Sequence, residues 1–383
     1  MEIVFNRESL IDVFSKVITA VPSSAVIPIY ANVLFEPIDT KSISISAFDN
    51  SEGIFIKAVL DDVKMTKPIA FTLNAKTFNS FIQSSTSDII TIALTKNKKN
   101  KLDDEVDYNE GVYKIFDTES YIHIPSISAD QFVQFPEISK DNKVEVKSSE
   151  LLRMIKQTQF VSSVADQRYV MAGINLKVVG DCMELASTDG VRLCISKTAL
   201  DADFDKASII IPLKCASILH KLCADSKNDT ISLYLDDNSL SIVLDGLEMT
   251  TKGIEGAFPP YHKLIIGPFE NTFVIDKEVF RRLLKRSEIV LSDKRISITL
   301  TITKDKLVIS SRSSDIGEGV FTCDAEYDGE PIDLAMVPSI LMDVIPVLES
   351  EFFELKIKGN ESPVLVEGDD NFKYIVYPLI EEL

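Results

Sequence analysis

Residues capable of catalysis are scarce in this 383-residue chain. There are only three histidines, and none lies in an HExxH motif or in a Ser-His-Asp pattern. The sequence has no GxxxxGKS/T phosphate-binding loop, and no GxGxxG run follows a strand pattern. We therefore expect no catalytic activity and no cofactor. The histidines are His123, His220 and His262.

The five cysteines are the other candidates for chemistry, and their spacing argues against it. No two of them form a CxxC pair, the spacing typical of zinc and redox sites. We expect buried thiols rather than disulfides or a metal site. They are Cys182, Cys194, Cys215, Cys223 and Cys323.

The run Ser187–Leu193 looks most like an active-site turn, because it places an acid beside a glycine and an arginine. A β-hairpin explains the run better from the residues alone. Its Asp-Gly step is a strong tight-turn dipeptide, and Met183–Ser187 and Val191–Ser196 have strand patterns. A hydrolase or transferase built from scattered acids such as Asp189 and Asp49 is the alternative, which an activity screen would test.

The elements that would position such residues form a three-fold repeat. A short strand pattern, a capping residue and a helix pattern recur at three starts, which are Met1, Lys143 and Asn271. A second strand–turn–helix pattern follows in each unit, starting at Pro68, Ala207 and Pro331. Six half-units emerge, each with one helix and several strands. The expected helix caps are Asn6, Asn74, Asp276 and either Ser148 or Ser149.

The strand patterns between these helices alternate with a period of two. Examples are Ser42–Ala47, Ile231–Leu235 and Leu307–Ser311, whose alternation indicates half-buried strands. We therefore predict an α+β fold of three similar domains, each with two helices against antiparallel sheets. The predicted domains are 1–142, 143–268 and 269–383, each the size of an ordinary domain. A chain of equal modules favours a scaffold over an enzyme.

The charge is strongly negative, with a formal net charge of −19. Taken alone, this argues against a nucleic-acid-binding protein. The helix patterns are less acidic than the rest, and one of them carries Arg281, Arg282, Lys285 and Arg286. Mildly basic helices on an acidic body are suited to loose, sequence-independent contact with phosphates. For any single lysine, a solvated helix face is the simpler interpretation.

Targeting signals are not apparent in the sequence. No apolar run approaches 18 residues, and the first residues lack the basic and apolar regions of a signal peptide. We expect a soluble, cytoplasmic protein with no membrane partner.

A resemblance appears in a series of motifs along the whole chain. Those of the middle unit are Thr158-Gln-Phe, Arg168-Tyr169, Gly173-Ile-Asn-Leu, Ala186-Ser-Thr-Asp-Gly-Val-Arg-Leu and Glu255-Gly-Ala-Phe-Pro-Pro-Tyr. Others are Ile27-Pro-Ile-Tyr-Ala-Asn-Val, Phe135-Pro-Glu-Ile and Tyr374-Ile-Val-Tyr-Pro-Leu. In this order they resemble the bacterial sliding clamp family, the β subunit of DNA polymerase III.

The resemblance implies a clamp fold in which two chains join head to tail into a ring of six similar domains. Helices would line a central hole that duplex DNA threads, and sheets would form the outer wall. The family is non-catalytic, tethers the polymerase for processive synthesis, and is opened by an ATP-driven clamp loader. A self-assembling structural protein could share the repeat and the lack of catalysis, and open assembly would favour that alternative.

The family binds short linear peptides of the polymerase, the clamp loader and repair factors in a pocket between the middle and last domains. The matching positions here are Met171, Thr188, Gly190, Val191, Arg192, Leu193, Pro259, Lys263, Leu264, Ile340, Val364, Val376, Tyr377, Pro378 and Leu379. Val191 stands where the family often has histidine, and Tyr377 where a smaller apolar residue is common. Tyr377 could gate the pocket, bond to a peptide, or pack under the last strand. The chain also ends in Ile380-Glu-Glu-Leu383 rather than in arginine.

The resemblance gives fewer residues for DNA and for the dimer. Arg168 and Tyr169 match a loop that touches DNA, and Lys76 and Lys214 lie at helix starts that are often basic in the family. For ring closure we expect the strand near Tyr121–Ile124 to meet the strand near Ile296–Ile302 of a second chain, since edge strands need covering.

Overall fold

The computed structural model describes residues 1–95, 111–139, 142–163, 169–264, 269, 271–292, 296–324, 326–327 and 329–379. This part of the chain forms two compact units. Unit 1 contains Met1–Ser148 and Lys221–Gly253, and unit 2 contains Ser149–His220 and Ile254–Leu383.

The first repeat runs through nine strands and two helices. They are β1 (Glu2–Asn6), α1 (Arg7–Val17), β2 (Asn32–Pro37), β3 (Ile43–Asp49), β4 (Ile54–Leu60), β5 (Lys64–Met65), β6 (Phe71–Asn74), α2 (Ala75–Ser84), β7 (Ile89–Thr95), β8 (Val112–Phe116) and β9 (Tyr121–Pro125).

The second repeat has fewer but longer strands. Its elements are β10 (Lys143–Lys147), α3 (Ser148–Thr158), β11 (Gly173–Thr188), β12 (Arg192–Pro212), α4 (Leu213–Asp225), β13 (Thr230–Asp236), β14 (Ser239–Leu244) and β15 (Leu247–Lys252). Short 3-10 turns cover Tyr169–Met171 and Tyr261–Leu264.

The third repeat returns to the order of the first. Its elements are β16 (Asn271–Asp276), α5 (Lys277–Ser287), β17 (Ile298–Thr303), β18 (Lys306–Ser313), β19 (Gly317–Asp324), β20 (Ile332–Met336), α6 (Pro338–Val344), β21 (Phe352–Ile357), β22 (Val364–Asp369) and β23 (Phe372–Val376). The described residues therefore contain the six helices that the half-units predicted.

Side-chain caps explain why three of the helices begin where they do. Asn6, Asn74 and Asp276 each accept a hydrogen bond from the backbone N–H three residues later, at 3.0, 3.1 and 2.7 Å respectively. Each bond satisfies one of the donors that a helix start leaves unpaired. These three predicted caps are confirmed.

Every helix packs an apolar face on antiparallel sheets. In unit 1, α1 buries Leu10, Phe14 and Val17, and the Phe14 ring meets the Phe78 ring of α2 edge-on, with centroids 5.0 Å apart. In unit 2, α5 buries Phe280 and Leu283, while its basic side chains from Arg281 onward stay exposed. The helices thus have one face on the core and one in solvent.

Unit 1 contains two sheets. One has five strands in the order β5-β1-β7-β8-β9, and the other has eight in the order β10-β13-β14-β15-β4-β3-β2-β6. The eight-stranded sheet is continuous because β15 pairs with β4, from Leu247 opposite Ala58 to Thr251 opposite Ile54. Strands of the first and second repeats therefore share one sheet.

Unit 2 repeats this arrangement. Its sheets have the orders β11-β12-β23-β22-β21-β16 and β19-β18-β17-β20. The six-stranded sheet is continuous because β12 pairs with β23, from Arg192 opposite Val376 to Ser196 opposite Phe372. The middle repeat thus contributes strands to one sheet in each unit.

The strand edges correct one prediction about ring closure. β9 ends the five-stranded sheet, which agrees with the expected free edge near Tyr121–Ile124. The segment near Ile296–Ile302 is not a free edge, because β17 lies between β18 and β20 and is paired on both sides. The edge beyond β18 is β19 instead.

Candidate partner-docking site

The turn between β11 and β12 is held by its own side chains. Asp189 Oδ1 accepts hydrogen bonds from the backbone N–H groups of Val191 and Arg192, both at 3.0 Å. The Thr188 hydroxyl accepts from Gly190 N and donates to the Arg192 carbonyl. Gly190 has φ = 85°, a conformation that glycine adopts without strain. The predicted hairpin is confirmed, and its acid is used for structure.

Arg192 braces this turn rather than pointing into solvent. Its guanidinium donates to Asp189 at 3.0 Å and to Asp343 of α6 at 2.6 Å, and it lies over the Phe160 ring. Burial opposes the charge, but the hydrogen bond to Asp343 and the interactions with Tyr374 and Asp189 together outweigh it and raise the pKa of Arg192. Arg192 therefore stays charged and fixes the turn against α6 and β23.

The C-terminal strand continues along the turn. Tyr377 N donates to the Val191 carbonyl at 3.2 Å, and Leu379 N donates to the Ala335 carbonyl at 2.7 Å. Val191, Tyr377 and Leu379 are 45%, 37% and 39% exposed, while Pro378 between them is buried. We name these three exposed side chains the apolar rim.

A small apolar cluster lies beside the rim on the same strands. It contains Ala186, Leu193, Ile195, Tyr261, Leu365 and Ile375, with Phe258 and Phe269 packed against it. Leu193 is opposite Ile375, and both lie two residues from the rim on their strands. The Phe258–Leu264 segment covers this cluster, with Pro259 half-buried and Lys263 exposed.

The structure brings most of the predicted pocket residues together. Thr188, Gly190, Val191, Arg192 and Leu193 meet Tyr377, Pro378 and Leu379 through the strand pairing. Ile340 is half-buried, and its carbonyl accepts from the Tyr374 hydroxyl at 2.8 Å. Met171 is half-buried in its 3-10 turn. The side chain of Leu264 and residues 380–383 lie outside the described residues.

Val364 and Val376 are a correction. Both are 1% exposed and belong to the main core cluster of unit 2, on the other face of the sheet from Leu193. Their neighbours Leu365 and Ile375 lie on the same face as Leu193 and belong to the apolar cluster. The alternation of side chains along the strands indicates which residues share a face with Leu193, because a shift of one residue moves a position to the opposite face of the sheet. Asp343, which holds Arg192, had no signal in the sequence.

A buried carboxylate lies under the covering segment. Glu184 accepts a hydrogen bond from the Tyr261 hydroxyl, pairs with Lys197 Nζ at 2.8 Å, and has His262 Nε2 3.5 Å away. Lys177 Nζ contacts His262 Nε2 at 3.1 Å. Burial alone would raise the pKa of Glu184, but the hydrogen bonds of Lys197 and Tyr261 and the Lys197 charge lower it.

The predicted DNA-facing residues are distributed over both units. Lys76 is exposed at the start of α2, where its ammonium donates to the Ser23 carbonyl at 2.7 Å. Tyr169 is 68% exposed, and Lys214 is half-buried in α4. Arg168 lies outside the described residues. An exposed basic face occurs on α5, with Arg281, Arg282, Lys285 and Arg286.

No group of three or more His, Cys, Asp or Glu residues placed to hold a metal ion occurs in the described parts of the chain. The five cysteines are not joined by disulfides, and burial raises the pKa of Cys194 and Cys223, the latter to about 12. Among the described residues, no helix has the length and apolar character needed to cross a membrane.

Comparisons with known proteins match the whole chain. Family models of the DNA polymerase III beta subunit match residues 1–125 (N-terminal domain), 145–260 (central domain) and 264–380 (C-terminal domain). The beta sliding clamp of Synechococcus elongatus is 25% identical over 387 residues, covering 99% of each chain.

Solved structures agree with these matches. The DNA polymerase sliding clamp of Bacillus subtilis has a TM-score of 0.90 at 20% identity, covering 100% of each chain. A Pseudomonas aeruginosa DNA polymerase III subunit beta bound to griselimycin has a TM-score of 0.89 at 22% identity, with the same coverage.

The threefold repeat, the antiparallel sheets and the matches define a DNA sliding clamp, a processivity factor that is not itself catalytic. The chain belongs to the DNA polymerase III beta subunit family.

Proposed function

We propose that two copies of this chain join head to tail, encircle duplex DNA without reading its sequence, and tether partner proteins through the apolar rim. The partners would be the polymerase catalytic subunit, the clamp loader and repair factors, each carrying a short linear peptide. The place of action would be the cytoplasm. Domain boundaries near residues 142 and 268 remain our prediction.

The observation that carries this proposal concerns β9 and β19, which each end a sheet in the part of the chain that the structure describes. Within the chain, repeats join twice by sheet pairing, β4 with β15 and β12 with β23. β4 and β12 follow the first helix of their repeats, and β15 and β23 end the second half of theirs. The equivalent positions in the remaining halves are β19 and β9. A third joint of the same kind between two chains would close the set.

The side chains at these edges support the same joint. Val320 of β19 is 64% exposed, and Ile289 and Ile316 beside that strand are 72% and 55% exposed. On β9, Tyr121 is 60% exposed. Unpaired backbone groups beside apolar side chains favour association, so such an edge needs a cover. Pairing β9 of one chain with β19 of another would supply it.

Weak contact with DNA follows from the charge distribution. The exposed arginines and Lys285 of α5 lie on an acidic protein, and Arg281 is already paired with Glu278 at 2.7 Å. Few phosphates would be neutralised, so affinity should fall only modestly as salt rises. Retention on DNA would then depend on encirclement.

The decisive experiment compares circular with linear DNA. We expect the loaded protein to remain on nicked circular duplex and to leave after the circle is cut, because a ring slides off a free end. Equal retention on both would contradict encirclement.

Two variants connect this result to the strand edges. Val320→Glu places a charge on the β19 edge and should leave a monomer by light scattering, with no retention on circles. Val59→Glu makes the same change on β4, where the side chain is 37% exposed, and should remain a dimer. Open, growing assemblies of the wild type would instead favour a structural self-assembling protein.

A further inference from the structure

The charged group that the docking site leaves unexplained is Glu184. Its side chain is only 7% exposed, on the sheet face that carries the apolar cluster. A buried carboxylate is costly unless hydrogen bonds satisfy it. Lys197 is directly opposite on β12 and supplies one bond, and the Tyr261 hydroxyl supplies another. Tyr261 comes from outside the sheet.

Tyr261 is the main side-chain anchor of the covering segment. Its ring is 4% exposed and packs with Leu193, Leu365 and Ile375. Phe258 meets this ring edge-on, with centroids 5.7 Å apart. The regular structure of the segment is a 3-10 turn of four residues, Tyr261–Leu264, which is too short to fix its own position. The Tyr261 ring anchors the segment by apolar burial, and the bond of its hydroxyl to Glu184 fixes the orientation of the ring.

The anchored segment borders the rim. Leu193 and Ile375, on which Tyr261 rests, are two residues from Val191 and Tyr377 along β12 and β23. A shift of Tyr261 would therefore move the segment that carries Pro259 and Lys263 relative to the rim. The hydroxyl–carboxylate bond limits such a shift.

We propose that Tyr261 is a positioning residue for peptide binding, whose bond to Glu184 holds the Phe258–Leu264 segment beside the apolar rim. This inference rests on the proposed docking function. A covering segment that is already held in place before the peptide arrives need not be ordered on binding, and this lowers the free-energy cost of association. The bond acts through the segment and does not touch the peptide.

The first test removes the hydroxyl and keeps the ring. Tyr261→Phe should weaken binding of a fluorescein-labelled synthetic peptide, glutamine-leading and ending in leucine-phenylalanine, by about fivefold. The matched control is Tyr327→Phe, which removes a hydroxyl that donates to the Glu330 carbonyl at 2.6 Å in the same unit. The control should bind the peptide as the wild type does. Unchanged affinity in Tyr261→Phe would overturn the proposal.

A second test separates positioning from general loss of stability. Lys263→Ala removes a side chain of the covering segment, and Leu379→Ala removes one of the rim. If Tyr261 acts through the segment, its effect on peptide affinity should be non-additive with Lys263→Ala and additive with Leu379→Ala. Additivity with both would indicate a merely structural role and would contradict the proposal.

Glu184→Gln provides an independent variant of the acceptor. It keeps an oxygen that can accept a hydrogen bond from Tyr261 but removes the charge. It should therefore weaken peptide binding less than Tyr261→Phe does. A larger loss than in Tyr261→Phe would place the effect elsewhere than in this bond. A wild type that fails to bind the peptide would contradict the docking function itself, and the positioning role would fall with it.

Discussion

Two Phe-Pro segments cross equivalent sheet faces in the two units, and their surroundings differ. In unit 1, Phe135 meets Phe55 edge-on, with centroids 5.9 Å apart, and a cavity of about 250 Å³ remains beside Pro136. The cross-strand row beneath consists of Phe55, Thr250 and Ser241. Hydroxyl groups therefore form much of the floor.

The equivalent row in unit 2 is fully apolar. Leu193, Ile375 and Leu365 lie side by side on adjacent strands, and Tyr261 covers them. The backbone arrangement has been kept while the side chains have diverged. The repeat therefore determines where such a face exists, whereas the residues on the face decide whether apolar burial can bind a partner.

A charged substitution on the rim should have the strongest effect, and it tests whether only the unit 2 face binds peptides. Leu379→Asp places a carboxylate on the rim, where an apolar peptide side chain would otherwise be buried. We expect a loss of about 2 kcal/mol, roughly 30-fold in the affinity of the synthetic peptide by titration calorimetry.

Ser51→Asp in the β3–β4 turn of unit 1 is the matched control and should leave that affinity unchanged. An equal loss in both variants would remove the distinction between the faces. Leu193→Asp is a poorer test than either, because Leu193 is 2% exposed and its replacement would disturb the core.

The second effect concerns the buried carboxylate in unit 2. Since the pKa of Glu184 is lowered from 4.5 in the folded state, its ionised form contributes stability at neutral pH. This contribution is lost as the pH falls below 4.5 and through the lowered pKa. Glu184→Gln should reduce the free energy of unfolding by about 2 kcal/mol at neutral pH.

The difference between wild type and Glu184→Gln should then shrink in acid, as followed by urea unfolding over a pH series. A constant difference across the series would mean that the charge is not the stabilising feature. Glu137→Gln, at an exposed carboxylate beside the unit 1 cavity, is the control and should show no such dependence.

The third effect tests the hydroxyl floor of unit 1. Ser241 and Thr250 are 6% and 7% exposed, and their hydroxyl oxygens are 2.9 Å apart. Ser241→Ala or Thr250→Val alone leaves one hydroxyl without this partner and should cost about 1 kcal/mol in the free energy of unfolding.

The double variant should cost less than the two single changes together, because both polar partners are then gone. Strict additivity in urea unfolding would show that the two hydroxyls do not act as a pair. Peptide affinity should be the same in all three variants.

The sequence predicted the repeat and the six helices, because these depend on local patterns. The residues proposed for docking came from the resemblance to the clamp family and remain a prediction. Caps such as Asn6 and the Asp-Gly turn act over three or four residues and can be recognised directly. Sheet edges could not be predicted in the same way. Whether β17 or β19 ends a sheet depends on pairing between distant strands. The alternation of side chains within one strand does not indicate which other strands it pairs with.

Side-chain direction in the site was predictable only in part. Choosing Val364 rather than Leu365 is a one-residue error that reverses the face. The bonds of Arg192 to Asp343 and of Tyr261 to Glu184 join residues 151 and 77 positions apart, and no local pattern indicates either one. Both are interactions that only the folded chain creates.

The smallest expected effect concerns the hydroxyl of Tyr377. The Tyr377 side chain is 37% exposed, so it does not pack under the last strand, and its backbone N–H is bonded to Val191. Water can replace a bond that this hydroxyl makes to a peptide, so Tyr377→Phe should weaken binding by about 0.5 kcal/mol, roughly twofold. Tyr377→Ala also removes the ring and should cost several times more free energy, since the rim then loses apolar area. If Tyr377→Ala bound the peptide more tightly than the wild type, the ring would act as a gate over the rim, and the unit 2 face would be partly closed before its partner arrives.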